Sequence, residues 1–171
     1  MLLDAAGNRL RGRQAVLAMA IRSMPPPLPN PETHHQRIVY ICQGEYGVAS
    51  RDDDVQMTTS DATTCIVLAL HCSDTGITAM AHMDSHDIDL QPIIRGMQRP
   101  TAYMAGAFDA ASRPALDALL AALDAAPQPV ILKLASVDTC NTDNQGCPIV
   151  TALTIDAPTG TVWQGVQPSA H

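Results

Sequence analysis

The residue types able to do nucleophilic chemistry gather between positions 58 and 86. Thr58–Leu70 reads TTSDATTCIVLAL, a run of hydroxyls with one acid that leads to Cys65 and then into apolar residues; His71, His82 and His86 follow. A free thiol has a pKa near about 8.5 and is mostly protonated at neutral pH. An imidazole beside it can take the proton, and the thiolate can then attack an amide or acyl carbon. A third polar group usually orients the imidazole, and Thr58, Thr59, Ser60, Asp61, Thr63 and Thr64 are a local supply. The competing reading makes Cys65 a small buried apolar residue at a strand start and His82 a structural histidine.

The elements around these residues bear on both readings and leave both open. Thr63–His71 is β-branched and apolar and reads as a strand, CSDTG (Cys72–Gly76) has turn composition, and Ile77–His82 reads as the returning strand. With His71 opposite Gly76 around a four-residue loop, Cys65 stands directly opposite His82. Opposed residues lie on one face with Cβ atoms roughly 5 Å apart. A slip of one residue would put the two side chains on opposite faces.

Other groupings carry less. Cys72, His71, His82 and His86, with Cys140 and Cys147, suggest zinc, but only His82-x₃-His86 has a ligand spacing. No metal and no cofactor are expected. Cys140 and Cys147 flank CNTDNQGC and are read as thiols rather than a disulfide. Asp52–Asp54, within a loop Arg51–Met57, reads as a solvated turn rather than a cation site.

The 171 residues suit one domain with its own core. Aromatics are 3% of the chain and the formal charge is −7, so neither base stacking nor a basic footprint for nucleic acid is present. No segment has the ~20 apolar residues of a membrane span. The charged start MLLDAAGNRLRGRQ does not read as an export signal, and with five cysteines the chain is expected to be cytoplasmic. Oligomeric state is not legible.

Gly12–Met24 is compatible with a helix that has Val16, Met19 and Ala20 on one face, and the prolines of Pro25–His35 make a connector. Arg37–Cys42 (RIVYIC) reads as a buried strand and Gly44–Ser50 as another, with His82–Pro92 a polar loop. Thr101–Ala107, Pro129–Ser136, Ile149–Ile155 and Thr161–Gln164 are further strands, the last two joined by DAPTG. Ser112 is placed to cap a helix through Ala125, with Pro114 in its first turn and Leu116, Leu119, Leu120 and Leu123 on one face. The class is α+β: a mostly antiparallel, sandwich-like core flanked by two or more helices, residues 1–36 preceding a core over 37–165.

At SDATTC (Ser60–Cys65) and LALHCSDTGITAMAHMD (Leu68–Asp84) the chain resembles the protein N-terminal asparagine amidohydrolase family. The resemblance extends to VYICQGEYGVAS (Val39–Ser50), YMAGAFDAASRPALDALLAAL (Tyr103–Leu123) and PIVTALTIDAPTGTVWQG (Pro148–Gly165). More distantly the chain is similar to chemoreceptor glutamine deamidases, which place a threonine six residues before the cysteine, here Thr59. The resemblance implies a deamidase-like domain that converts an N-terminal asparagine side chain to aspartate with release of ammonia. It implies Cys65 as nucleophile, His82 as base, and Thr59 as the group that orients the imidazole. The partner is then a protein or peptide with N-terminal Asn, whose positive α-amino group Asp61 or Asp84 would meet. An internal Gln or Asn of a protein substrate, or binding without catalysis, are the alternatives. The chain departs from the family pattern at Ile66, where a histidine usually follows the cysteine.

Overall fold

The structure, a computed structural model, describes residues 1–20, 37–84, 89–106, 112–137, 145–147 and 150–167. Among the described residues ten strands form two sheets: β1 Leu2–Leu3, β2 Arg37–Tyr40, β3 Tyr46–Ser50, β4 Val55–Ala62, β5 Ile66–Cys72, β6 Ile77–Met83, β7 Thr101–Gly106, β8 Val130–Val137, β9 Val150–Asp156 and β10 Val162–Gln167. The helices are α1 Gly12–Ala20, α2 Gln91–Ile94 and α3 Arg113–Asp124. Strand order is β1-β8-β7-β5-β6-β3 in the larger sheet and β10-β9-β4-β2 in the smaller. Antiparallel pairing dominates, and β1/β8, β7/β8 and β2/β4 are the parallel pairs. The fold class is α+β, as the residue pattern implies.

The pleat of β5 divides the core in two. Ile66, Leu68, Leu70 and Cys72 join the cluster that packs against the helices. Cys65, Val67 and Ala69 join the cluster between the sheets, with Met57, Met80, Leu153 and Ile155. Both faces of β5 are therefore buried, which is why its sequence is continuously apolar. Leu116, Leu119, Leu120 and Leu123 form the buried face of α3. Burying each such side chain contributes on the order of 2 kcal/mol.

Several expectations need correction. RIVYIC is not a buried strand: β2 pairs only with β4 at a sheet edge, and Ile38 and Tyr40 are exposed, while Ile41 beyond the strand is buried. The solvated loop over 51–57 is instead a short 3₁₀ turn, Arg51–Asp53, followed by β4, so the hydroxyl run through Asp61 is strand. The cysteine strand begins at Ile66, and Thr63–Cys65 form a bend before it. Ser112 precedes α3 but makes no side-chain cap; its hydroxyl donates to the Thr64 carbonyl at 2.6 Å. Helix α1 ends at Ala20. Residues 21–24, the proline connector, His86 and Cys140 lie outside the described residues.

Candidate active site

The β5–β6 hairpin closes at Cys72 opposite Ile77. This is two residues from the expected register, because Ser73–Gly76 rather than Cys72–Thr75 form the loop, with Gly76 at φ +69°. Val67, not Cys65, is therefore opposite His82. A shift of two keeps the parity of the pleat. Cys65 and His82 still share the face between the sheets, as diagonal neighbours one step beyond the last ladder pair. Diagonal Cβ atoms are ordinarily about 7 Å apart, within reach of longer side chains.

Cys65 is 8% exposed at the mouth of the bend. Its backbone is fixed from two sides. Ser112 holds the preceding carbonyl. On the other side Gly106, at φ +99°, comes so close that a Cβ there would lie 2.2 Å from the Cys65 carbonyl oxygen. Only glycine fits that combination of angle and contact.

The imidazole is fixed across the sheets. Thr59, fully buried on β4, has its Oγ1 2.8 Å from His82 Nδ1. His82 is 3% exposed, and its Nε2 is buried without a hydrogen-bond partner among the described residues. Such an unmet polar atom costs about 1–3 kcal/mol and calls for an explanation. Burial lowers the His82 pKa, against the opposing pull of the Asp84 and Asp61 carboxylates. Burial raises the Cys65 pKa, the Asp84 charge adds to this, and a hydrogen bond from Thr64 opposes it. Both directions favour the neutral thiol and the neutral imidazole.

Next to Thr59 the β4–β9 ladder carries a bulge: Thr59 pairs with Leu153 and Ala62 with Thr151, three residues spanned against two. Within it Asp61 adopts φ +64°, a strained left-handed conformation for a residue with a side chain. Bulges of this kind re-aim side chains next to functional sites. Asp61 accepts from Ser60 Oγ at 2.9 Å, and Asp84 from Gln43 Nε2 at 3.1 Å; both carboxylates are exposed. Thr59, Cys65 and His82 are thus gathered at one end of the inter-sheet space, with the charges of Asp61 and Asp84 felt there. From the sequence Ser112 is read only as a helix cap and Gly106 has no part in this site; Gly106 is brought to it by the pairing of β7 with β5, and Ser112 by its bond to Thr64. Ile66 is wholly buried among the helix-side residues. Position 66 therefore faces away from the thiol, and its departure from the family pattern removes nothing from the thiol's side of the sheet.

A model of the protein N-terminal asparagine amidohydrolase family matches residues 28–169, most of the chain. The chain belongs to this family. No curated protein matches it. As a member of the N-terminal asparagine amidohydrolase family it is a hydrolase that acts on the C–N bond of a side-chain amide. The matched span contains β2 through β10, and with them every residue just placed around Cys65. Among the described residues no group of three or more His, Cys, Asp or Glu side chains could hold a metal ion, and no helix is long and apolar enough to cross a membrane.

Proposed function

We propose that this amidohydrolase works through a Cys65 thioester, with His82 as general base and acid and Thr59 as its positioning residue. The observation that carries the proposal is the imidazole held by Thr59 at Nδ1, with a buried, unpartnered Nε2 on the face it shares with Cys65. Base catalysis requires Nδ1–H to be donated to Thr59, which leaves the Nε2 lone pair for the thiol proton. The Thr59 hydroxyl has lone pairs to accept this bond and makes no other side-chain bond among the described residues.

In the reaction, His82 Nε2 takes the proton from Cys65 Sγ as the sulfur attacks the side-chain amide carbon of the substrate asparagine. The resulting tetrahedral oxyanion needs a donor, and the backbone N–H of Cys65 is the candidate. The imidazolium then protonates the leaving nitrogen, ammonia departs, and a thioester remains. His82 next takes a proton from water, hydroxide attacks the thioester carbon, and the departing thiolate recovers the proton. The product side chain is aspartate. Two neutral partners suit this scheme, because the proton moves during attack rather than before it. The substrate's α-ammonium is drawn to Asp61 and Asp84, the carboxylates whose charges already reach His82. The substrate is thus a protein or peptide that begins with asparagine.

The test is a peptide panel with Asn first, Gln first, or either placed internally, read by ammonia release and by the mass change of amide to acid. Turnover of the Asn-first peptide alone supports the assignment. Turnover only of internal Gln or Asn contradicts the substrate. No turnover, with Cys65 inert to iodoacetamide, contradicts the chemistry.

A further inference from the structure

The same inter-sheet face that holds Cys65 at one end opens at the other end of β5 into a cavity of about 570 Å³. Six residues of extended chain, roughly 20 Å, separate Cys65 from His71 on its wall. The volume is that of a small-molecule site, and the lining is rich in hydrogen-bond donors. His71, Ser73, Thr101, Tyr103 and Lys133 contribute to it from β5, the hairpin loop, β7 and β8, and the β9–β10 turn closes it.

Charge selects the ligand. The chain has 17 acidic residues and a net charge of −7, yet no carboxylate lines this cavity. Lys133, the one lysine in the sequence, does line it. Arg51 stands close by, with its Nη2 donating to the Ser73 carbonyl at 2.7 Å. Asp156, whose charge reaches His71, is 5% exposed and is turned to its own loop, where it accepts from the Thr159 N–H and hydroxyl.

The donors are also uncommitted. Among the described residues, the side chains of Ser73, Thr101, Tyr103 and Lys133 have no hydrogen-bond or ion-pair partner, while Tyr103 is half-buried. His71 is prearranged. Thr78 Oγ1 donates to the Ala157 carbonyl at 2.9 Å, so at 2.8 Å it accepts from His71 Nδ1–H. That leaves Nε2 as the ring's free nitrogen, an acceptor in the neutral ring that donates to an anion only after taking up a proton, so His71 shapes the wall and is not counted among the donors. Gly160, at φ +68°, presses on the ring so closely that a Cβ there would fall 2.3 Å from it. A ring clamped on both sides does not reorganise when a ligand arrives.

We propose that this cavity binds an oxyanion, the carboxylate or phosphate of a small molecule, through Lys133 and the Tyr103, Thr101 and Ser73 hydroxyls. The site is separate from the amidohydrolase chemistry and does not depend on Cys65.

The single lysine makes the test selective. The full chain is titrated with phosphate and, separately, with acetate at constant ionic strength, by calorimetry. Protection of Lys133 from acylation by an acetyl ester is followed by mass spectrometry. One anion binds saturably and protects Lys133. Lys133→Gln weakens it at least about tenfold, and Tyr103→Phe weakens it severalfold. Cys65→Ser binds as the wild type does. Tighter phosphate assigns a phosphate-bearing ligand, and tighter acetate a carboxylate. Lys133 is exposed, so its variant folds, which equal melting temperatures verify. Saturable binding that survives Lys133→Gln unchanged, or no saturable binding of either anion, overturns the proposal.

Discussion

The two ends of the β5–β6 hairpin hold the same residue types and put them to different use. At the open end are Cys65, His82 and Thr59; at the turn end are Cys72, His71 and Thr78. Each histidine has its Nδ1 2.8 Å from a threonine hydroxyl, and each end is pressed by a positive-φ glycine, Gly106 or Gly160. The pleat makes the difference. Cys65 and His82 share the inter-sheet face, whereas Cys72 and His71 are neighbours in sequence and so point to opposite faces. The Cys72 sulfur is also spoken for: it donates to the Gln98 carbonyl at 3.0 Å and accepts from the Gln98 N–H at 3.2 Å. Burial works against its ionisation, but hydrogen bonds donated to the sulfur by the Thr75 hydroxyl and by the backbone N–H groups of Gln98, Thr75 and Asp74 outweigh it and lower its pKa. The more acidic thiol is therefore the one sealed among the helices, and the less acidic one shares its face of the sheet with an imidazole whose Nε2 has no hydrogen-bond partner among the described residues. On the proposed mechanism, what marks the nucleophile is a base on the same face and not thiol acidity alone.

The sharpest way to break this comparison is to remove each thiol in turn. Cys65→Ser should fold, with an unchanged melting temperature, and lose at least about 10³-fold in kcat. Cys72→Ala should keep turnover and lose about 1–2 kcal/mol of stability in chemical denaturation. Equal activity losses would remove the distinction between the two ends. Gly106→Ala comes next. The added methyl meets the Cys65 carbonyl, so the variant should lose roughly 2 kcal/mol or more of stability and on the order of 10²-fold in activity. Circular dichroism and turnover measured together would separate the two losses.

A smaller effect is expected from the threonine. Thr59→Val should lower kcat about tenfold with KM little changed, and Thr59→Ser should restore most of it. A purely packing role would reverse that order, since valine is the better isostere. The smallest effect is on stability against pH. Burial lowers the pKa of both His71 and His82, so the unfolded chain binds protons first on acidification. Stability from these groups is whole above the ordinary imidazole value of about 6.5 and is lost as pH falls through the lower folded values. Denaturation midpoints should fall below that pH, and His71→Gln and His82→Gln should each flatten the fall. A midpoint that rises on acidification would contradict the buried neutral rings.

How much of this was legible in the sequence follows from the range of the interactions. The apolar face of α3 was plain, because spacing at 3.6 residues is local. The shared face of Cys65 and His82 survived a wrong register because the error was an even number of residues. β4 was obscured by Asp52–Asp54 and the hydroxyl run, which look like loop, although Met57 and Thr59 are inward-facing strand positions. RIVYIC looked like interior because composition does not reveal that a strand sits at a sheet edge. Ser112, Gly106 and the Lys133 cavity depend on strands that meet only after folding, and no spacing in the chain announces them.

The central claim is the covalent one, and it can be measured directly. Wild-type protein is mixed with an Asn-first peptide, quenched in acid within a single turnover, digested and examined by mass spectrometry. The Cys65 fragment should carry the mass of the peptide less one ammonia, and Cys65→Ala should show neither the adduct nor turnover. Full turnover in Cys65→Ala, or an adduct on another residue, would contradict the account.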